Sequence, residues 1–238
     1  IISNKKLIFT LRFYLWEGNW ISLGYHQREI PPHWEKLSKN GTIKIVRRTS
    51  GGGAVLHSGG ITYALTFKKP SYKKFSYELV NNWLIESFDK LGLELKSGTI
   101  KKSTIETNCF GSTYITDLID QNGFKRIGSA QYRKKGSFLQ HGEIQLNPPR
   151  DLWMKVFEEE APPRINLNRT NNEIIKSLKE TFLENVLIDA LEYTKQNEKT
   201  PLSTLYQKLQ QDESEIGSNL FSNFREILFH LRGNPWEK

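Results

Sequence analysis

The sequence predicts an α+β protein: a mixed, largely antiparallel sheet packed with helices, followed by a helical C-terminal part. Three observations predict it. β-rich aromatic runs recur between about residues 7 and 149, an Asn122-Gly123 turn separates two of them, and beyond Pro163 the composition shifts to helix formers.

In chain order, Leu7 to Trp16 (LIFTLRFYLW) is aromatic and β-rich, Trp20 to Gly24 is a shorter apolar run, and Thr42 to Val46 alternates as a third strand. Ile61 to Phe67 (ITYALTF) is the next. Val80, Leu84, Phe88 and Leu91 then share one helical face until Gly92 closes the helix. Tyr114 to Asp120 and Phe124 to Gln131 flank Asn122-Gly123, a hairpin signal because both turn residues tolerate positive φ, and Ser137 to Leu146 adds a neighbouring strand. Pro148-Pro149 and Pro162-Pro163 bracket a short helical piece. Thr170 and Glu173 make a capping box, Ile174, Leu178 and Phe182 follow at a spacing of four, and Thr200-Pro201 opens a further helix. A last amphipathic stretch, Leu220, Phe224, Ile227, Leu228 and Leu231, ends at Gly233 and Pro235. The expected organisation is a sheet-based domain over 1–163 and a helical segment over 164–238 packed on it.

The 238 residues include 34 Lys and Arg against 26 Asp and Glu, a net charge of +8, with 37% hydrophobic side chains. That is enough apolar mass for one good core and excludes disorder as the main reading. No apolar run approaches the roughly 20 residues of a bilayer span. Cys109 is the single cysteine, so neither an intrachain disulfide nor a cysteine-built zinc cage is available, which fits a reducing cytoplasm. Ile1 followed by Ser3, Asn4, Lys5 and Lys6 offers no signal-peptide core and suggests a trimmed start, and the sequons at Asn40 and Asn168 read as chance matches. The basic balance favours acidic partners, and charge alone does not choose between nucleic acid and acidic proteins.

Arg47-Arg48-Thr49-Ser50-Gly51-Gly52-Gly53-Ala54-Val55-Leu56-His57 sets three glycines between two strands, behind two arginines. Such a loop exposes backbone N–H groups and positive charge, which suits a phosphate or carboxylate; a plain surface turn is the bland alternative. It is neither a P-loop nor a G-x-G-x-x-G turn. Gly123 to Gln131 is rich in small residues, which in a strand usually let a ligand or another backbone come close. His141 is either an acid–base group or a hydrogen-bonded core histidine. His141-Gly142-Glu143 lacks the paired cysteines of zinc deaminases, and no G-x-S-x-G elbow occurs, so metal and serine-triad catalysis are unsupported.

Taken together these residues resemble the lipoate–protein ligases and protein octanoyltransferases, whose catalytic domain is related to that of biotin–protein ligases. The resemblance runs from about Leu11 to Leu146. Leu11-Arg12-Phe13-Tyr14 with Trp16, and Ser22-Leu23-Gly24-Tyr25-His26-Gln27, look like the family's opening strands. Arg47 to His57 is similar to its glycine-rich acyl-binding loop, and Gly123 to Ala130 with Leu139-Gln140-His141-Gly142 to its second signature. The resemblance implies a biotin/lipoate protein ligase-like catalytic domain over 1–163 with Lys125 as a catalytic residue. It implies an acyl or substrate site made of Arg47, Arg48, Ser50, Gly51, Gly52, Gly53, His57, Gly128, Ser129, Ala130 and His141. Ser58 stands where the family often has aspartate, the family's preceding strand and helix have little room here, and the residues after Pro163 do not show the accessory domain of many full-length ligases.

Two branches share this fold. The ligases activate lipoate with ATP and Mg, whereas the transferases pass an octanoyl chain from acyl carrier protein through a cysteine thioester and need no cofactor. Cys109-Phe110 resembles the Cys-Phe of the cysteine-dependent transferases, while the triple glycine is typical of the ligases. A lone cysteine is more often a small packing residue. The expectation is an octanoyl-[acyl carrier protein]:protein N-octanoyltransferase of lipoate biosynthesis with Cys109 as nucleophile; the alternatives are an ATP-dependent lipoate–protein ligase and a non-catalytic carrier-binding homologue. The implied partners are acyl carrier protein as donor and, as acceptor, glycine cleavage H protein or a 2-oxoacid dehydrogenase E2 lipoyl domain, with no nucleic acid, membrane or metal. Lys68, Lys69, Lys73, Lys74, Lys134 and Lys135 are candidates for steering such acidic carriers.

Overall fold

The computed structural model describes residues 10–68, 77–99, 108–110, 114, 116–134 and 137–196. The expected helices from Thr200-Pro201 and through Leu220 to Leu231 lie outside them, as do the side chains of Lys68, Lys69, Lys73, Lys74 and Lys135. Lys134 is exposed at the end of its strand.

Thirteen elements follow in chain order among the described residues: β1 (Thr10–Tyr14), β2 (Trp20–Leu23), α1 (Pro32–Lys39), β3 (Lys44–Arg47), β4 (Val55–His57), β5 (Gly60–Lys68), α2 (Tyr77–Lys90), β6 (Lys96–Ser97), β7 (Leu118–Ile119), β8 (Lys125–Lys134), β9 (Ser137–Gln145), α3 (Arg150–Phe157) and α4 (Asn171–Gln196). The α+β class is as expected. The strands read as one sheet form two, one of six strands in the order β1-β5-β9-β8-β7-β6 and one of three in the order β3-β2-β4. Every pair in the larger sheet is antiparallel. In the smaller sheet β2 runs parallel to β3, and α1 lies in the crossover such a pairing requires.

Local chemistry explains the departures. The strand expected over Tyr114 to Asp120 shrinks to Leu118–Ile119 because acidic side chains turn the chain on both sides of it. Asp117 Oδ2 accepts the Tyr114 amide at 2.9 Å, and Asp120 Oδ1 accepts the amides of Asn122 and Phe124 at 2.9 and 3.0 Å. Gly123, at φ +80°, completes that turn. Helix α1 escapes a periodicity search because only Trp34 of its eight residues is buried; its signal is the proline at its first turn. The capping box forms as read: the Thr170 amide donates to Glu173 Oε2 at 2.7 Å and the Glu173 amide to Thr170 Oγ1 at 3.3 Å.

One core packs Ile21, Leu23, Leu56 and Ala54 of the small sheet and its loop against Trp34 of α1 and Trp153, Val156 and Phe157 of α3. Phe110 belongs to it, edge-on to Trp153 with centroids 6.2 Å apart. On the large sheet, Trp83 of α2 meets Tyr63, Phe13 and Phe182 edge-on. Ile174, Leu178 and Phe182 of α4 are buried, so residues 164–182, read from sequence as part of the C-terminal segment, lie within the compact unit that ends at Phe182. A second unit begins at Leu183. No helix among the described residues is long and apolar enough to cross a membrane.

Candidate active site

The glycine loop is built around Arg48. Its guanidinium donates to the carbonyls of Ser22, Gly51 and Gly53 at 2.7, 2.8 and 2.7 Å, bracing the loop from inside. Gly52 takes φ +94°, and its carbonyl lies 1.7 Å from where a Cβ on Gly24 would stand, so both positions exclude a side chain. Arg47 braces the other edge, donating to the carbonyls of Gly24 at 2.8 Å and Gln27. Burial lowers the Arg48 pKa, with the Cys109 sulfur opposing that shift.

Beyond the loop, Ala54 forms a parallel bridge with Asn108, and its carbonyl accepts the Cys109 amide at 2.9 Å. This bridge fixes the cysteine. Asn108 donates to Glu159 Oε2 at 2.7 Å and accepts the Phe110 amide at 2.9 Å, while the buried Phe110 ring anchors the other side, a burial worth about 2 kcal/mol. Cys109 is half-buried and a free thiol.

Lys125 enters from the six-stranded sheet. Its Nζ donates to the Cys109 carbonyl at 2.7 Å, stands 3.7 Å from Cys109 Sγ and pairs with Asp117 Oδ2 at 2.8 Å. Lys125 is 4% exposed, a buried cation at the start of its hairpin strand. Gly128 explains how it fits: a Cβ there would stand 2.9 Å from Lys125 Cε and 3.3 Å from the Phe110 ring. The small-residue run thus makes room for the protein's own lysine.

The remaining predicted residues surround this centre in two polar groups. Ser50, 1% exposed, shares a 2.6 Å hydrogen bond with His141 Nε2, and Ala130 is the register partner of His141 on β8. Ser129 meets the Tyr63 hydroxyl at 2.7 Å. His57 joins the sheets: Nδ1 shares a 2.8 Å hydrogen bond with Glu143 Oε2 of β9, and Nε2 a 2.7 Å hydrogen bond with Ser22 Oγ. Thr62 adds a 2.5 Å bond to the same Glu143 oxygen, and Trp16 stacks on the His57 ring at 4.4 Å. Ser58, in the place of the family's usual aspartate, donates to Asn19 Oδ1 at 2.8 Å. Sequence reasoning missed Asp117, Asn108 and Glu143, whose partners lie across folds of the chain that no local pattern connects.

Burial, then the charge of Arg48 and that of His57, push the His141 pKa down to about 4, so the ring is neutral at neutral pH. An unfolded histidine takes up its proton near 6.5, so as pH falls from there toward 4 the unfolded state gains a proton that the folded state does not. Unfolding free energy is therefore expected to fall with acidification by up to about 3 kcal/mol from this residue. Urea unfolding at pH 7 and pH 4.5 checks it: His141→Gln should lose that part of the dependence, and an identical dependence in both proteins would refute it.

Among the described residues no group of three or more His, Cys, Asp or Glu is arranged to hold a metal ion. Two concavities, one beside Asn82, Glu86 and Asp89 and one beside Arg164, Arg169 and Asn171, touch neither Cys109 nor Lys125.

Comparison with known proteins decides the family. A model of the lipoyl protein ligase A/B catalytic domain matches residues 4–191. The chain belongs to this family. Among curated lipoyl-ligase relatives, the octanoyltransferase LipM of Brevibacillus brevis is 34% identical over 168 residues, which are 65% of this chain and 60% of that protein. The chain thus spans about three-fifths of the length of this first relative. LipM of Clostridioides difficile is 28% identical over 236 residues, 86% of this chain and 85% of that one. Among solved structures, a lipoate-protein ligase A bound with ATP superposes with a TM-score of 0.59 at 24% identity, covering 75% of this chain and 72% of that one. A bipartite lipoate protein ligase from Thermoplasma acidophilum gives 0.55 at 21%, covering 75% and 71%. At these identities the structural likeness speaks to the fold, that of a lipoyl ligase catalytic domain.

Proposed function

We propose that this chain is a protein N-octanoyltransferase that moves an octanoyl group from acyl carrier protein to the lysine of a lipoyl-accepting domain through a thioester on Cys109. The observation that carries the reading is the 3.7 Å approach of Lys125 Nζ to Cys109 Sγ inside a family whose curated relatives are named octanoyltransferases. A thiolate is both a good nucleophile and a good leaving group, so it divides one transfer into two easier ones.

In the first half the Cys109 thiolate attacks the carbonyl carbon of the donor thioester. A new carbon–sulfur bond forms, the donor's carbon–sulfur bond breaks, and the carrier thiolate leaves to take a proton from solvent. In the second half the neutral amine of the acceptor lysine attacks the same carbon, the bond to Cys109 breaks, and the amine proton offsets the charge on the departing sulfur. Both halves pass through an oxyanion, for which the Lys125 ammonium and the amides of Gly51 to Gly53 are the donors. A thioester is already activated, so this chemistry calls for neither ATP nor metal.

Incubation with octanoyl-acyl carrier protein in the absence of ATP is expected to add the mass of one octanoyl group to the intact protein, and a lipoyl domain should then remove it. An absolute requirement for ATP and free fatty acid would assign the chain to the ligase branch.

A further inference from the structure

We propose that His57 is a positioning residue for the transfer, holding the glycine loop through Ser22 and Arg48; the inference rests on the thioester reading above. The ring is 6% exposed, its Nδ1 is bonded to Glu143 Oε2 at 2.8 Å, its Nε2 is bonded to Ser22 Oγ at 2.7 Å, and Trp16 stacks on it at 4.4 Å. Trp16 is held in turn, since its Nε1 donates to Thr62 Oγ1 at 2.8 Å and Thr62 donates to the same Glu143 oxygen at 2.5 Å. Indole, hydroxyl, carboxylate and imidazole thus close a cycle. Both ring nitrogens are engaged inside the protein, so the ring is built to hold Ser22 and not to take a substrate.

Ser22 in turn grips one nitrogen of Arg48 with two oxygens. Arg48 Nη1 donates to the Ser22 carbonyl at 2.7 Å and to Ser22 Oγ at 3.3 Å, while Nη2 donates to the carbonyls of Gly51 and Gly53 at 2.8 and 2.7 Å. A serine hydroxyl has three staggered positions, and the bond to His57 selects the one that meets the guanidinium. The guanidinium is a rigid planar fork, so fixing Nη1 also fixes the direction in which Nη2 holds the loop. A peptide unit is planar and trans: with the Gly51 carbonyl turned toward Arg48, the Gly52 N–H of that unit points away from it. That amide is among the oxyanion donors of the proposed chemistry. Three glycines have no side chains to hold such an amide and lose the most backbone freedom on ordering, so its aim has to come from outside the loop.

The competing roles are direct contact with the donor and a tie between the sheets alone. Single-turnover acylation of Cys109 by octanoyl-acyl carrier protein, followed by intact mass over a range of donor concentrations, separates them for Ser22→Ala, His57→Asn and the double variant, each paired with a thermal melt. An asparagine carboxamide ends about where Nδ1 stood, so it still reaches Glu143 but not Ser22, whereas Ser22→Ala keeps the His57–Glu143 bond and removes only the hydroxyl. Each single variant is expected to lower the maximal acylation rate about 10-fold with the half-saturating donor concentration little changed. The double variant should be no slower than the slower single one, since both substitutions cut the same path. Ser22→Ala carries the comparison with the wild-type protein if His57→Asn does not fold. A wild-type maximal rate in either single variant, a rise in half-saturating donor in place of the rate loss, or losses that multiply in the double variant would overturn the role of His57. An octanoyl group gained by Cys109→Ala would instead overturn the thioester reading itself, and the inference with it.

Discussion

Cys109→Ala should acquire no octanoyl group and should transfer at least about 10⁴-fold more slowly than the wild-type protein, because loss of a catalytic nucleophile removes the covalent route and leaves only binding and oxyanion stabilisation. The substitution is mild for the fold. The Cys109 backbone keeps its bond to the Ala54 carbonyl, Asn108 keeps Glu159, and Phe110 stays in the core beside Trp153. Intact mass after exposure to octanoyl-acyl carrier protein, paired with a thermal melt, reads both outcomes. An alanine protein that melts normally and still carries the acyl group would place the nucleophile elsewhere.

The second large effect belongs to Lys125. Lys125→Met keeps most of the side-chain volume beside Gly128 and Phe110 while removing the ammonium, so transfer is expected to fall about 10²–10³-fold through loss of a preorganised charge. It should also destabilise the protein by about 3–5 kcal/mol, since Asp117 is left as a buried carboxylate without its cation. Adding Asp117→Asn should recover much of that stability and none of the activity. Turnover measured below the melting transition separates the two effects, and an active Lys125→Met protein would return the lysine to a structural role.

Much of this fold is legible in the sequence where the pattern is local. The Asn122-Gly123 turn, the β8 and β9 strands and the Thr170–Glu173 cap are written in neighbouring residues, and each forms. Division into two sheets is not local: alternation says that Trp20 to Leu23 is a strand, but not that its partners are Lys44–Arg47 and Val55–His57. Among the site residues, Lys125 next to Arg126 at the mouth of a hairpin reads as a solvated pair. In the fold both are buried, each against its own aspartate, Asp117 for the lysine and Asp120 for the arginine at 2.6 Å. The family resemblance singled out Lys125, and the fold buries that lysine beside Cys109. Glu143, 86 residues from His57, had no signal that a sequence window could hold.

The two halves of the proposed chemistry reach the centre from different sheets. Cys109 hangs from Ala54, at the start of the short strand that carries His57, and Lys125 rises from the broad sheet that carries Glu143. Sliding one sheet over the other would therefore change the gap between sulfur and ammonium directly. Widening it from 3.7 Å by about 1 Å weakens their attraction by about a fifth, and a misplacement of that size in a reacting geometry is worth about 100-fold in rate. The His57–Glu143 bond then serves as a gauge block. It ties the sheet of Cys109 to the sheet of Lys125, so in the proposed chemistry loosening this joint would register as lost rate before it registered as lost structure.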